Sequence, residues 1–152
     1  MITLEVSISD QTLRVLEDGI EQSCYPISSA KNGLGSEEGS FKTPTGNFII
    51  SEKHGHGAPI QTIFKSRKPI GIWQSEELCD ADLVTSRILW LDGVDSDNAN
   101  TKERYIYIHG TNHEDKIGTP QSCGCIRMRN KDVIELFDLV EENTPLTITD
   151  NT

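Results

Sequence analysis

Residues Arg104-Tyr-Ile-Tyr-Ile-His-Gly-Thr-Asn-His-Glu-Asp-Lys-Ile-Gly-Thr-Pro-Gln-Ser-Cys-Gly-Cys-Ile-Arg-Met128 decide how this chain is read. The run 104–108 alternates apolar side chains and predicts a strand. Gly110, Gly118 and Pro120 then predict a loop. The imidazole of His109 and the thiol of Cys125 are therefore expected at the two ends of that loop. Nucleophilic thiol chemistry needs this pair, because only the thiolate attacks and a neighbouring imidazole can take its proton. Gly124 permits a sharp turn of the backbone. The N–H groups of Cys123, Gly124 and Cys125 are then candidates to receive a developing oxyanion. Arg127, two residues beyond the thiol, offers a planar fork suited to a carboxylate, or else a structural ion pair. Tyr107 shares a strand face with His109 by the two-residue period, as a pocket-lining or a packing residue.

The stretch resembles the signature of the L,D-transpeptidase (YkuD-type) catalytic domain family, cysteine enzymes that act on peptidoglycan stem peptides. That signature is His-Gly, a loop, then Ser/Thr-His-Gly-Cys followed by Ile/Val-Arg-Met/Leu. His109 and Gly110 match it, as do Ser122, Gly124, Cys125, Ile126, Arg127 and Met128. Cys123 departs, standing where the family often has a second histidine. The resemblance implies Cys125 as nucleophile and His109 as general base. It also implies an orienting role for a backbone carbonyl just after the histidine, which places Gly110 in the catalytic set. Ser122, Arg127 and Tyr107 are the expected substrate-binding side chains. The implied fold is a mainly β, YkuD-like β-sandwich with one main helix near the C-terminus.

Around this stretch, 152 residues suit one domain, 1–152, with a core of its own. Acidic residues outnumber basic ones by 24 to 14, a net charge of −10. That balance disfavours nucleic acid and anionic membrane surfaces as partners. The first ten residues lack the basic start and unbroken apolar run of a signal peptide, since Glu5 and Asp10 interrupt them. Without a secretory signal, the four cysteines at 24, 79, 123 and 125 are expected as free thiols. Cys24 and Cys79 read as small core residues. A bridge between Cys123 and Cys125 would be strained and would block the nucleophile. These features predict a reducing, cytoplasmic home.

Residues 2–8 alternate Ile2, Leu4, Val6 and Ile8 with polar neighbours, a strand pattern. Leu13, Val15 and Leu16 predict a second strand, Asp18-Gly19 a hairpin turn, and residues 20–28 a third. Residues 28–46 are rich in Gly, Ser and Pro and read as a surface loop. The segment Thr43-Pro-Thr-Gly46 followed by a strand over 47–51 is usual in the family resembled. Residues 52–100 are the least readable. His54 and His56 lack further ligands nearby and suit a polar loop better than a metal site. Phe64–Trp73, with Lys65, Arg67 and Lys68, corresponds in family terms to a wall or lid over the substrate groove. Trp73 and Trp90 read as core residues. Residues 92–98 resemble a calcium loop in composition, and Glu103 falls at the twelfth position. Val94 at the third and the absence of glycine at the sixth argue instead for a solvated loop. Near the C-terminus, Asn130 is expected to cap a helix whose apolar face is Val133, Ile134, Leu136, Phe137 and Val140. Asn143 and Pro145 end it, and Leu146 and Ile148 predict a last strand.

Two readings from other classes compete. A zinc site of Cys123, Cys125, His109 and His113 has suitable donors, but Cys-x-Cys is not the usual ligand spacing. His113 otherwise reads as a loop residue. A silent peptidoglycan-binding module would be expected to lack His109 or Cys125, and both are present. The expected activity is therefore that of a cysteine L,D-carboxypeptidase that trims the terminal D-Ala from peptidoglycan tetrapeptides during recycling, without cofactor or metal. The alternative is an L,D-transpeptidase cross-linking stem peptides through the same acyl-enzyme. A cytoplasmic location favours water as acceptor. Carbapenems are expected inhibitors, as the family resemblance implies.

Overall fold

The computed structural model describes residues 1–74 and 83–150. Among these residues are ten strands and one α-helix. The first three strands are β1 (Ile2–Ser7), β2 (Thr12–Glu17) and β3 (Ile20–Ser28), an antiparallel meander as the alternation predicts. Asp18 and Gly19 both have positive φ, 51° and 83°, and form the two-residue turn between β2 and β3. The remaining strands are β4 (Gly46–His54), β5 (Thr62–Lys65), β6 (Lys68–Ile72), β7 (Val84–Gly93), β8 (Tyr107–Gly110), β9 (Ile126–Met128) and β10 (Pro145–Thr149). Helix α1 spans Asn130–Leu139.

The strands form one sheet in the order β4-β10-β1-β2-β3-β9-β8-β7-β5-β6. An additional pairing of β4 with β7 closes it into a barrel-like sandwich. Two of the neighbouring pairs are parallel, β1 with β10 and β8 with β9. A parallel pair needs a long crossover. Between β8 and β9 that crossover is residues 111–125, the loop that carries the thiol.

The closed face holds the main core. Leu4, Val6, Leu13, Val15, Phe48, Leu89, Leu91, Ile108, Ile126 and Met128 meet there with Val133, Leu136 and Phe137 of α1. Each large aliphatic side chain buried this way contributes about 2 kcal/mol of transfer free energy. Because side chains alternate along a strand, fixing Ile108, Ile126 and Met128 inward turns Tyr107, His109, Cys125 and Arg127 to the opposite face. The hydrophobic pattern thus decides which face carries the chemistry. A smaller cluster of Phe64, Ile88 and Tyr107, with Trp90 and Cys125 packed against it, lies on that second face.

Several expectations change in detail. The strand expected over 104–108 begins at Tyr107, so His109 and Gly110 lie within it. Tyr105 has φ 57°, which breaks the extended run. Asn130 is the first residue of α1 and not its cap, and Arg129 in the N-cap position makes no side-chain cap bond. The Asn130 N–H is received instead by Glu114 Oε2 at 2.7 Å. Cys24 is exposed, because Tyr25 and Ile27 take the inward positions of β3. Cys79 lies outside the described residues. The loop over 28–46 is packed: Thr43 is fully buried and its Oγ1 accepts from Ala30 N at 2.9 Å. The surface loop over 92–98 carries one buried brace, Asn98, whose Nδ2 donates to Thr45 O and Asn47 O. Among the described residues, no helix is long and apolar enough to cross a membrane.

Candidate active site

Strands β8 and β9 run side by side with Ile108 opposite Ile126 and His109 opposite Arg127. Extending this parallel register backwards sets Cys125 beside Tyr107. The Tyr107 N–H points to Cys125 Sγ at 3.3 Å, and Sγ donates to Tyr105 O at 3.4 Å. His109, within β8, and Cys125, which immediately precedes β9, therefore sit on one face, two residues apart in register. Cys125 is half-buried and His109 is buried. Cys123, by contrast, is exposed.

The imidazole is held from behind. His109 Nδ1 lies 2.5 Å from Gly110 O. A carbonyl can only accept, so Nδ1 carries the proton and Nε2 is the basic nitrogen of the neutral ring. Gly110 is fixed in its turn. A Cβ there would come within 2.5 Å of both Asn130 Oδ1 and Thr85 O. Asn130 Oδ1 accepts from Thr85 Oγ1 at 2.5 Å and Ser86 Oγ at 2.6 Å. Its Nδ2 donates to Thr111 O at 2.9 Å and to Glu114 Oε2 at 3.1 Å. This buried network joins β7, the crossover loop and α1 behind His109. Sequence reading treated Asn130 only as a helix cap, and its spacing carried no signal of this second use.

The thiol end of the loop is braced in a similar way. Ser122 is 2% exposed, and its Oγ donates to Cys125 O at 2.6 Å and accepts from Gly124 N at 3.2 Å. Its hydroxyl thus closes the turn around the thiol from within. Gly124 has φ 124°, a region that favours glycine, and its carbonyl accepts from Thr43 Oγ1 at 2.9 Å. Ser122 N and O also bond Ser29 O and Lys31 N, tying the loop to the end of β3. The turn therefore has its conformation set before any ligand arrives, as an oxyanion site requires.

Three arginines surround this face. Arg127 is 4% exposed and lies in register between His109 and Ser28. Arg104 donates to Lys42 O at 2.7 Å and Gly35 O at 3.3 Å, and its charge is within electrostatic reach of Cys125. Burial pushes the pKa of Arg104 down, but a guanidinium stays charged, and a positive charge near a thiol favours the thiolate. Arg67, from the turn between β5 and β6, donates to Tyr107 Oη at 2.9 Å. The Tyr107 phenol is pushed up, first by burial, against the opposing effect of Arg67. Neither Arg67 nor Arg104 is singled out as a site residue by the sequence, because Arg104 comes into electrostatic reach of the thiol, and Arg67 reaches Tyr107, only through the folded sheet. Trp90 is half-buried in this region, ringed by Tyr105 and Tyr107. His113 immediately precedes a short 3-10 turn, Glu114–Lys116, in the crossover loop. Among the described residues, no three His, Cys, Asp or Glu side chains are grouped to hold a metal ion.

The model of the YkuD family, the L,D-transpeptidase catalytic domain, matches residues 2–148. YkuD of Bacillus subtilis is 30% identical over 146 residues, which are 95% of this chain and 64% of that protein. YkuD of Bacillus licheniformis is 28% identical over a similar span, again 64% of its length. This chain thus spans just under two thirds of these relatives. Among solved structures, an L,D-transpeptidase from Mycobacterium smegmatis superposes with a TM-score of 0.64 at 18% identity. It shares 97% of this chain and 58% of its own. L,D-transpeptidase 3 from Mycobacterium tuberculosis, in complex with a faropenem-derived adduct, gives 0.62 at 18% identity over 98% of this chain and 60% of its own. At these identities the likeness is one of fold.

Proposed function

Because the chain belongs to the L,D-transpeptidase catalytic domain family, we propose that it is a cysteine acyltransferase whose nucleophile is Cys125, acting as an L,D-carboxypeptidase on peptidoglycan tetrapeptides. The observation that carries this reading is the pairing of β8 with β9. It sets His109, its Nδ1 held by Gly110 O, beside the strand that Cys125 leads into.

In the proposed reaction, His109 Nε2 takes the thiol proton as Sγ attacks the carbonyl of the third, diamino residue. Backbone N–H groups of the turn 123–125 receive the oxyanion, with Cys123 better placed than Gly124, whose N–H is directed to Ser122 Oγ. Collapse breaks the peptide bond, and the leaving amine of D-Ala takes its proton from His109. Water then attacks the thioester, again with His109 as base, and releases the tripeptide. Arg127, buried and in register with His109, supplies fixed positive charge for a substrate carboxylate, with Tyr107 on the same strand face as His109.

Exposed thiols at Cys24 and Cys123, the latter two residues from the nucleophile, favour a reducing compartment such as the cytoplasm. There the acceptors are soluble, which favours water over a second wall strand. Cross-linking of stem peptides is the second reading, supported by the family's name, and shares the acyl-enzyme. The nucleophile is tested with a carbapenem. Its mass should add to the wild-type protein at Cys125 and not to Cys125→Ala; an adduct on Cys123 would overturn the assignment.

A further inference from the structure

Strands β5 and β6 form a hairpin at the edge of the sheet, and β6 is exposed along its whole length. The two turn residues, Ser66 and Arg67, both have positive φ, 50° and 67°. This is the tight two-residue turn that matches strand twist, and it fixes the direction in which Arg67 leaves the backbone. The guanidinium folds back over the sheet. It stands 4.6 Å from the centre of the Trp90 ring and 5.6 Å from that of Tyr105, and donates to Tyr107 Oη. Those tyrosines are the residues whose main chain contacts Cys125 Sγ.

Among the described residues, no carboxylate lies within ion-pair distance of Arg67. Glu52, itself paired with Lys102 and close to His54, acts on Arg67 only electrostatically, from beyond that distance. One nitrogen is used by a phenol and the planar face by aromatic rings, which leaves other donors on the guanidinium edge for a ligand. Aromatic stacking holds the side chain in place in advance, so less conformational freedom is lost on binding.

We propose that Arg67 is a specificity-determining residue that binds the free C-terminal carboxylate of a peptide whose preceding carbonyl is presented to Cys125. Tyr107 spans the two groups, its N–H 3.3 Å from Cys125 Sγ and its Oη 2.9 Å from Arg67, so the guanidinium stands one tyrosine length from the thiol. An amide in place of the carboxylate would lose the charge-assisted bond. The inference rests on Cys125 being the nucleophile and makes the enzyme select for the end of a peptide.

The test compares a tetrapeptide ending in D-Ala with the same peptide ending in D-alaninamide. The wild type should prefer the free acid by roughly 10- to 100-fold in kcat/KM, mostly through KM. Arg67→Gln should reduce that preference to about threefold or less, and Arg67→Lys should restore part of it. Alkylation by uncharged iodoacetamide reads any change in Cys125 itself, and the loss of acid preference in Arg67→Gln should exceed whatever change in alkylation rate accompanies it. Direct binding of both peptides to Cys125→Ala, with and without Arg67→Gln, reads the contact without turnover. If the wild type cleaves neither peptide, the proposed function fails, while the binding comparison still decides the role of Arg67. A preference for the free acid that survives Arg67→Gln, or no preference in the Cys125→Ala background, would overturn the inference.

Discussion

Asn130 Oδ1 and Thr85 O leave no room for a side chain at residue 110, whose carbonyl oxygen holds His109 Nδ1. The imidazole of His109, the proposed general base, is therefore held at Nδ1 by a backbone carbonyl. Gly110→Ala must displace either the carbonyl or the buried network behind it. Its kcat should fall by roughly tenfold or more, with a smaller change in KM, because orientation and not binding is lost. The pH profile of Cys125 alkylation should change along with it. Wild-type kcat in Gly110→Ala would show that the carbonyl contact is dispensable.

Removing the amide of Asn130 leaves two buried hydroxyls, Thr85 and Ser86, without their acceptor. Asn130→Ala should lower stability by about 1–3 kcal/mol, measured by urea unfolding. Asn130→Asp replaces the Nδ2 donor with a carboxylate facing that of Glu114. Its destabilisation should be greater at neutral pH than at pH 4, where carboxylates begin to take up protons. A stable Asn130→Ala would mean the network does not hold the loop.

Arg127 is nearly fully buried and in register with His109. Arg127→Lys keeps the charge but loses the fork. It should reduce kcat/KM by about 1.5–3 kcal/mol in transition-state terms. An unchanged kcat/KM accompanied by a lower melting temperature would assign the residue to structure alone.

The meander, the last strand and the helix were legible because their apolar periods match their burial. Ile2, Leu4 and Val6 alternate, and Val133, Leu136 and Phe137 line one helical face. His109, Gly110, Gly124 and Cys125 were legible as a motif. The long strand β7 was not. Both its faces are covered, and it buries Ser86 and Arg87 among its apolar residues, so no two-residue alternation survives. Arg87 is accommodated by donating to Ala58 O and Ser86 O. The roles of Asn130, Arg104 and Arg67 depend on contacts across more than thirty residues of sequence, which no local pattern encodes.

Tyr25 is buried and donates to Glu135 Oε1 at 2.6 Å, joining β3 to α1. Burial first, then this bond, pushes its pKa from 10.0 up to about 12. The folded value exceeds the unfolded one, so the associated stability is complete below pH 10 and is lost as pH rises through 12. Absorbance titration should show Tyr25 ionising late, as well as the Tyr107 phenol that burial also pushes up, and Tyr25→Phe should remove one such step and flatten the loss of stability above pH 10. Titration of all three tyrosines near pH 10 would contradict this.

In the proposed mechanism, Cys125 and His109 carry a peptide acyl group to water. That transfer is tested most directly by incubating the protein with a peptidoglycan tetrapeptide in water enriched in oxygen-18 and weighing the products. Tripeptide carrying the heavy oxygen in its new carboxylate is expected, together with free D-Ala, and neither product from Cys125→Ala or His109→Ala. Cross-linked dimers or D-amino-acid exchange as the main products would contradict hydrolysis, and cleavage by Cys125→Ala would contradict the site itself.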